Sequence, residues 1–318
     1  MGSQFQPSDR SLAANIGIVL RRVPLEVVRR LVDTQFPQWT SLPIEPVALD
    51  GWDNTTYRLG EHLSVRLPNG DSYTPQVDKE HRWLPILARQ LPLAIPEPVA
   101  IGSASEEFPR PWSIRRWIDG EPAATASADR HRIAQRLGEF LRALHGVDAR
   151  DGPLAGPHSF FRGGPLQVYD EEHREAMRIL AGRIDGNAVE RMWEDALASR
   201  WQHPPVWVHG DMAPSNLVVR SGELVAVIDF GCCAVGDPAC DLVVAWTFLD
   251  PTERSAFKSA VGLDDHTWDR ARGWALWKAL QVLAHDLTGR TPETDAVRRF
   301  GWRVEPNALI EELTEGRG

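Results

Sequence analysis

Cysteine is scarce in this 318-residue sequence, which contains three, all between positions 232 and 240. An odd number of cysteines so close together is unsuited to a disulfide framework, and a zinc site would need a second pair of ligands. We therefore expect Cys232, Cys233 and Cys240 to be free thiols.

Long apolar runs and an excess of basic residues are also missing. No stretch approaches the roughly 20 apolar residues of a membrane span, and residues 1–15 lack the pattern of a signal peptide. The formal net charge is -9, with 44 acidic against 35 basic side chains, whereas a nucleic-acid groove needs a concentrated basic patch. We therefore expect a cytoplasmic protein that binds neither membrane nor nucleic acid. The acidic balance would suit a cationic small molecule, or it simply aids solubility.

The sequence does have the composition of a packed protein, with 42% hydrophobic and 25% charged residues. Helical spacing of apolar residues predicts helices near 23–36, 76–91 and 132–145, and alternation around a turn predicts a β-hairpin over 57–67. A proline-rich stretch at 91–98 and a predicted strand at 113–118 then mark a lobe boundary. We accordingly divide the chain into a nucleotide-binding lobe, residues 1–118, and a catalytic and acceptor-binding lobe, residues 119–318.

The second lobe is predicted to be mainly helical, apart from three short β-prone runs between residues 206 and 230. The segment 151–165, which contains several glycines and prolines, is predicted to be a surface loop.

Candidate catalytic residues concentrate among those β-prone runs. Asp211 and Asn216 lie five positions apart in one loop, and Asp229 ends the last run. Phosphoryl transfer requires a carboxylate to orient and deprotonate the attacking hydroxyl, together with oxygen ligands that hold Mg²⁺ on the nucleotide phosphates. Each residue alone is a weak signal, because aspartates in turns commonly cap backbone amides. Their ordered spacing favours a phosphotransferase, and we interpret His209 as structural because one base is sufficient.

The block from residue 209 to 242 resembles the aminoglycoside and macrolide phosphotransferase family, which is related to protein kinases and to choline and homoserine kinases. The resemblance rests on His-Gly-Asp at 209–211, Asp-Phe-Gly at 229–231 and Gly-Asp-Pro-Ala at 236–239, and it extends over residues 47–249. It implies an α+β, bilobal protein-kinase-like fold. The small N-lobe would contain an antiparallel sheet plus a helix, and the larger C-lobe would be mainly helical.

The resemblance also implies roles for individual residues. Asp211 would be the catalytic base, and Asn216 and Asp229 would be the magnesium ligands. Asp237 and Asp241 are interpreted as structural residues that organise the loop and the next helix.

Arg66 departs from the family pattern, which usually presents a lysine on the strand that holds the α- and β-phosphates. An arginine fork can grip a phosphate where lysine acts as a point charge, so the change is chemically workable. We expect Arg66 to bind the nucleotide phosphates with Glu80 as its partner on the following helix; an exposed edge-strand arginine is the alternative.

Four further residues are predicted to contact the nucleotide. Asn54 and Thr55 lie in a turn that would cover the phosphates, although an ordinary hairpin turn would have the same sequence. Arg116 and Ile118 lie on the strand that resembles the hinge of the family, whose backbone contacts the purine. Because backbone atoms make those contacts, the choice between ATP and GTP stays open.

The helical region after Leu242 walls the acceptor pocket in the family. Its residues include the tryptophans Trp246, Trp268, Trp274 and Trp277 and the acids Asp250, Asp264, Asp265, Asp269 and Asp286. Such acids would attract a polycationic antibiotic, but we interpret most of these residues as core tryptophans and solvated helix charges.

The predicted reaction is in-line transfer of the γ-phosphate of ATP or GTP, with Mg²⁺, to a hydroxyl of a small molecule. The first candidate acceptor is an antibiotic of the aminoglycoside, macrolide or cationic peptide type. A metabolic kinase for a sugar, amino alcohol or amino acid is the first alternative. A nucleotide-binding pseudokinase is the second, which arginine at position 66 permits and the intact set of Asp211, Asn216 and Asp229 disfavours.

Overall fold

A five-stranded antiparallel sheet forms the N-terminal part of the protein, in the order β1-β2-β3-β5-β4. The computed structural model describes residues 22–47, 53–288 and 300–315. The strands are β1 (Ile44–Pro46), β2 (Asn54–Leu59), β3 (Leu63–Pro68), β4 (Pro98–Gly102) and β5 (Trp112–Arg116). Two helices accompany the sheet, α1 (Leu25–Gln35) and α2 (Pro75–Ala88).

The predicted hairpin is confirmed as β2 and β3, in which Tyr57 lies opposite Val65. Its turn includes Gly60, whose φ of 59° lies in the left-handed region that glycine adopts without steric cost. Helix α2 ends three residues earlier than predicted. The reason is Pro92, which disfavours the helical conformation of the residue before it.

The C-terminal part is mainly helical, with two small antiparallel sheets. Its helices are α3 (Arg130–Gly146), α4 (Asp170–Ile179), α5 (Gly186–Ala198), α6 (Val244–Thr247), α7 (Pro251–Val261), α8 (Asp265–Thr288) and α9 (Pro306–Glu315). One sheet contains β6 (Glu121–Pro122), β8 (Leu217–Arg220) and β9 (Glu223–Val227), and the other pairs β7 (Val206–Val208) with β10 (Ala234–Gly236). The predicted fold class, an antiparallel sheet followed by a helical part, is confirmed.

Two hydrophobic cores hold these parts together. In the smaller core, α1 packs Val28, Leu31 and Val32 against the five-stranded sheet. The larger core fills the helical part and also takes in Leu84 and Leu87 of α2. Helix α2 also contacts β4 and therefore links the sheet to the helical part, and burial of its apolar face fixes their relative positions.

The segment 151–165 differs from the predicted surface loop. Ser159 is fully buried and Arg162 is 8% exposed. The hydroxyl of Ser159 accepts a hydrogen bond from the backbone N–H of Gly156 and donates to backbone carbonyls of the same segment. Because its polar groups are satisfied internally, the loop can pack beneath the catalytic loop.

Among the residues that the structure describes, no helix has both the length and the apolar character needed to cross a membrane.

Candidate active site

The loop that follows β7 is held by a buried carboxylate. Asp241 accepts hydrogen bonds from the backbone N–H groups of His209, at 2.8 Å, and Gly210, at 2.7 Å. The His209 ring contacts the carbonyl oxygen of Ile228 through Nε2, at 2.9 Å, and accepts from the N–H of Asp211 through Nδ1, at 3.2 Å. His209 and Asp241 thus have the structural roles predicted for them.

Gly210 is required by this close packing. Its φ is 85°, and a Cβ at this position would lie 2.4 Å from the carbonyl oxygen of Cys232. Asp237 is structural as well, since it caps the turn after β10 through the N–H of Ala239 and pairs with Arg270 at 2.6 Å.

Asp211 forms an ion pair with Lys278 of α8, with 3.0 Å between Oδ1 and Nζ. Burial raises the pKa of Asp211, but the positive charges of Lys278 and Arg162 more than offset it and hold the pKa below its usual range. Asp211 is therefore ionised at neutral pH, as a base must be. Neither Lys278 nor Arg162 was predicted as a site residue; for Lys278, the only sequence signal is its helical spacing with Trp274.

Asn216 joins the catalytic loop to the strand that ends before Asp229. Its side-chain Nδ2 donates to the backbone carbonyl oxygen of Asp211 at 3.0 Å, and its backbone carbonyl oxygen accepts from the N–H of Ile228 at 2.8 Å. Asp229 has a φ of 69°, which is unfavourable for residues other than glycine, asparagine and aspartate. Backbone strain of this kind is concentrated at functional sites.

Asn216 and Asp229 are suitable ligands for Mg²⁺. Since Nδ2 of Asn216 donates to the loop, its Oδ1 is free of donors within the described part of the chain. Amide and carboxylate oxygens are the ligands that this hard cation prefers. The chemistry of the two side chains thus fits the predicted metal site.

Arg66 lies among three carboxylates. The distance from Nη2 of Arg66 is 2.8 Å to Asp229 and 3.6 Å to Asp53, and Nη1 lies 4.0 Å from Glu80. The predicted partner, Glu80, is thus the most distant of the three. The guanidinium of Arg66 lies beside the predicted metal ligand Asp229, where nucleotide phosphates are expected.

Glu80 instead makes a two-pronged ion pair with Arg115 of β5, at 2.8 and 2.5 Å. Both side chains are buried, with 1% and 2% of their surface exposed. Burial raises the pKa of Glu80, but the charge and hydrogen bonds of Arg115 lower it by more than burial raises it. The pKa therefore lies below its usual value and the carboxyl stays ionised. Arg115 was missed because a charged residue on a predicted strand is usually solvent-facing.

The replacement Glu80→Gln is expected to lower the free energy of unfolding by about 3–5 kcal/mol, because it leaves the Arg115 charge buried without a counter-ion. The matched control is Glu107→Gln, which breaks an exposed ion pair with Arg30 that is 2.7 Å long. This variant should lose about 0–1 kcal/mol of unfolding free energy. Denaturant unfolding at neutral pH measures both values. Equal losses in the two variants would contradict a structural role for the buried pair.

Asn54 and Thr55, the predicted phosphate contacts, are buried at the start of β2. The hydroxyl of Thr55 donates to Oδ1 of Asn69 at 2.7 Å, across the hairpin. Residues 50–52 of the predicted turn lie outside the described residues. The structure thus places Asn54 and Thr55 beside Asp53 and Arg66, and their contact with phosphates stays a prediction.

The predicted hinge strand is β5, which ends at Arg116 rather than Ile118. The side chain of Arg116 is exposed, and its backbone N–H already donates to the carbonyl of Glu97 at 2.9 Å. The N–H of Ile118 has no hydrogen-bond partner within the described ranges. Of the two predicted purine contacts, Ile118 therefore has the available backbone donor.

Asp53, which directly precedes β2, was not predicted as a site residue, and its environment is unusual. Burial and the nearby charge of Asp229 raise its pKa from 3.8 to about 7, although Arg66 opposes the shift. The folded protein therefore binds the Asp53 proton more tightly than the unfolded chain does, and stability attributable to this group is lost as pH rises from 4 towards 7.

The variant Asp53→Asn should consequently become more stable than the unaltered protein as pH rises. The difference in free energy of unfolding is expected to be small near pH 4 and to reach about 1–3 kcal/mol above pH 7. Urea unfolding in metal-free buffer at several pH values tests this. The exposed control Asp71→Asn should show no such trend, and a pH-independent difference for Asp53→Asn would contradict the raised pKa.

A cavity opens beside Asp211 on the side of α8. It is lined by Arg162, Gly210, Asp211, Met212, Cys240, Val243, Trp274, Trp277 and Lys278. None of the five acids after Leu242 that were considered as contacts for a polycationic antibiotic lines this cavity. Asp250 and Asp264 cap helix starts, and Asp265 pairs with Lys258. The interpretation of those acids as ordinary helix charges is thus confirmed for these three.

The four predicted core tryptophans are buried, with 6% or less of their surface exposed. Trp274 and Trp277 also form part of the cavity wall.

The three cysteines are free, as predicted. Burial raises the pKa of the Cys232 and Cys240 thiols, so both are protonated at neutral pH.

Comparison with solved structures identifies similar folds. The GDP and kanamycin complex of the aminoglycoside phosphotransferase APH(2")-IIia is 19% identical, with a TM-score of 0.69 over 92% of this chain and 99% of that chain. The apoenzyme of macrolide 2'-phosphotransferase MphH from Brachybacterium faecium is 20% identical, with a TM-score of 0.58 over 92% and 100%. At these identities the likeness concerns the fold.

Sequence comparison is more decisive about the family. No curated protein sequence matches the chain significantly. A model of the phosphotransferase enzyme family, however, matches residues 44–274, well over half of the chain and the region that contains Arg66, Asp211, Asn216 and Asp229. The chain therefore belongs to the phosphotransferase enzyme family.

Proposed function

We propose that this protein is a magnesium-dependent kinase that transfers the γ-phosphate of ATP or GTP to a hydroxyl group of a small molecule. The observation that carries the proposal is the ionised Asp211 at the mouth of a cavity. Its loop is tied through Asn216 to the strand that ends before Asp229. Base and oxygen ligands thus lie on one rigid unit, as phosphoryl transfer requires.

Each group has a distinct task in this proposal. Asp211 accepts a hydrogen bond from the acceptor hydroxyl, aims its oxygen at the γ-phosphorus and takes its proton. Arg66, which lies beside Asp229, binds phosphate oxygens. Mg²⁺ held by Asn216 and Asp229 would neutralise negative charge on the phosphates. No covalent phosphoenzyme is needed.

An antibiotic is the first candidate acceptor. Structurally similar proteins have been solved in complexes with kanamycin, streptomycin and gentamicin, and the nucleotides in such structures include GDP and ATP. A metabolic hydroxyl compound is the second candidate, which the two cationic side chains in the cavity wall favour over a polycationic acceptor. A pseudokinase is disfavoured because Asp211, Asn216 and Asp229 are all present.

The test is phosphate transfer by the purified protein from γ-labelled ATP or GTP in the presence of Mg²⁺. The panel contains aminoglycosides, macrolides, tuberactinomycin-type peptides, amino alcohols, sugars and hydroxy acids. Label on one acceptor class, lost when Mg²⁺ is chelated, would support the proposal. Nucleotide binding with neither phosphate transfer nor magnesium-dependent hydrolysis would instead favour a pseudokinase.

A further inference from the structure

We propose that Arg162 binds an anionic group, a carboxylate or a similar oxyanion, of the acceptor molecule in the cavity beside Asp211. This inference rests on the proposed function, because it takes that cavity as the acceptor site. It narrows the acceptor to hydroxyl compounds that carry a negative charge.

The first argument is that Arg162 is a buried arginine without a counter-ion. Three described arginines have less than 9% of their surface exposed, namely Arg115, Arg162 and Arg270. Arg115 pairs with Glu80 at 2.5 Å and Arg270 with Asp237 at 2.6 Å. Across the described ranges, Arg162 has no carboxylate within 4.0 Å and its guanidinium donates no hydrogen bond. An unpaired buried charge is costly, so a bound anion is the missing partner.

The second argument is the orientation of Arg162 against aromatic rings. Its guanidinium carbon lies 4.4 Å from the ring centre of Trp277, 5.4 Å from that of Tyr169 and 5.5 Å from that of Trp274. A guanidinium that stacks on an aromatic face keeps its N–H groups, which lie in its plane, available for a two-pronged bond to an oxyanion. Arg162 also lines the cavity, so these donors are accessible to a ligand.

The third argument is the charge balance of the cavity. Its charged side chains are Arg162, Asp211 and Lys278. Because Asp211 and Lys278 are paired at 3.0 Å, the charge of Arg162 is the one left uncompensated. A polycationic acceptor would meet this uncompensated positive charge, whereas an anionic acceptor would pair with Arg162.

The anion has an alternative source, which is the phosphoryl group in transfer from the nucleotide. In that case Arg162 would affect nucleotide binding and leave the choice of acceptor unchanged. Binding measurements with nucleotide and with acceptor probes, made separately, distinguish the two sources.

Three probes with the same phenyl ring and hydroxyl isolate the effect of charge: mandelate, mandelamide and 2-amino-1-phenylethanol. Calorimetric titration into the full-length protein with bound Mg²⁺ and a non-hydrolysable ATP analogue is expected to give mandelate an affinity at least about tenfold higher than the amine. The amide should lie between them. A tighter or equal affinity for the amine would overturn the inference, as would an acid that does not bind at any soluble concentration.

The variant Arg162→Met, which retains an apolar chain against the tryptophans, should remove this preference for the acid. Arg162→Lys keeps the charge and should retain part of the preference if the fork contributes. The control Arg178→Met removes an equal charge from an exposed pair with Glu175 and should change nothing. If Arg162→Met weakens nucleotide binding and leaves mandelate unaffected, the inference is wrong and the phosphoryl group is the anion.

Failure of this inference and failure of the proposed function are distinguishable. A preference for acids that depends on Arg162, in a protein that neither transfers nor hydrolyses nucleotide phosphate, would leave the anion site intact and refute the kinase. Magnesium-dependent phosphate transfer to cationic acceptors would support the kinase and overturn the anion site.

Discussion

Replacement of Asp211 by asparagine is expected to lower the rate of phosphate transfer by about 10²–10⁴-fold, the usual contribution of a general base. Asparagine keeps the size of the side chain but cannot accept the proton of the acceptor hydroxyl. Nucleotide affinity should change little, since Asp211 lines the cavity that we propose for the acceptor. Steady-state kinetics with the acceptor from the screen, together with nucleotide titration, measure both quantities.

The stability of Asp211→Asn should stay close to that of the unaltered protein. Lys278, which loses its partner, has 22% of its surface exposed, so water can solvate its charge and the loss is about 0–1 kcal/mol. Asp269→Asn, an exposed acid on the same helix α8, is the control for the loss of one negative charge. Full transfer activity in Asp211→Asn would refute the assignment of the base.

Replacement of Asp229 is expected to lower turnover by about 10²–10³-fold. The reason is that Mg²⁺ would lose a ligand, so the negative charge that develops on the phosphates would be neutralised less well. In the unaltered protein, nucleotide affinity should rise on addition of Mg²⁺. In the variant that rise should be lost, while the affinity in chelator stays similar. Titration of a fluorescent nucleotide at several Mg²⁺ concentrations measures the difference.

The choice of substitution at position 229 matters because of the backbone. With φ at 69°, alanine would add about 1–2 kcal/mol of strain. Asparagine tolerates this conformation and removes only the charge, so Asp229→Asn separates metal binding from destabilisation. Comparison of Asp229→Ala with Asp229→Asn by thermal unfolding gives the strain directly. Because an asparagine amide oxygen could still bind Mg²⁺, the decisive variant for the ligand is alanine: if Asp229→Ala retains the full magnesium dependence, Asp229 is not a metal ligand.

Several parts of the fold follow from local sequence. The hairpin around Gly60 and the helix that became α3 were predicted close to their observed bounds. Their signals are alternation, 3.6-residue periodicity and turn residues, which act between neighbours in the chain. The order of Asp211, Asn216 and Asp229 is likewise a local pattern of strand, loop and strand, and their proximity in space follows from the pairing of β8 with β9.

The partners of these residues could not be predicted in the same way. Arg66 meets Asp229 across 163 positions and Lys278 meets Asp211 across 67. Glu80 was predicted to pair with Arg66, but it pairs with Arg115. The partner depends on which guanidinium lies nearer once α2 packs on the sheet. Charge type limits such pairs to opposite signs, but it does not select among the many acids and arginines of the chain.

The sequence by itself therefore determined the local helices and strands, because short-range periodicity and residue type are sufficient for these, and the fold class through the resemblance of its ordered motifs to a known family. Only the tertiary structure decided that α8 brings Lys278 to Asp211 and that the loop at 151–165 buries Arg162 against Trp277. The physical reason is that burial and long-range ion pairing arise from the packing of distant elements, which no local pattern encodes.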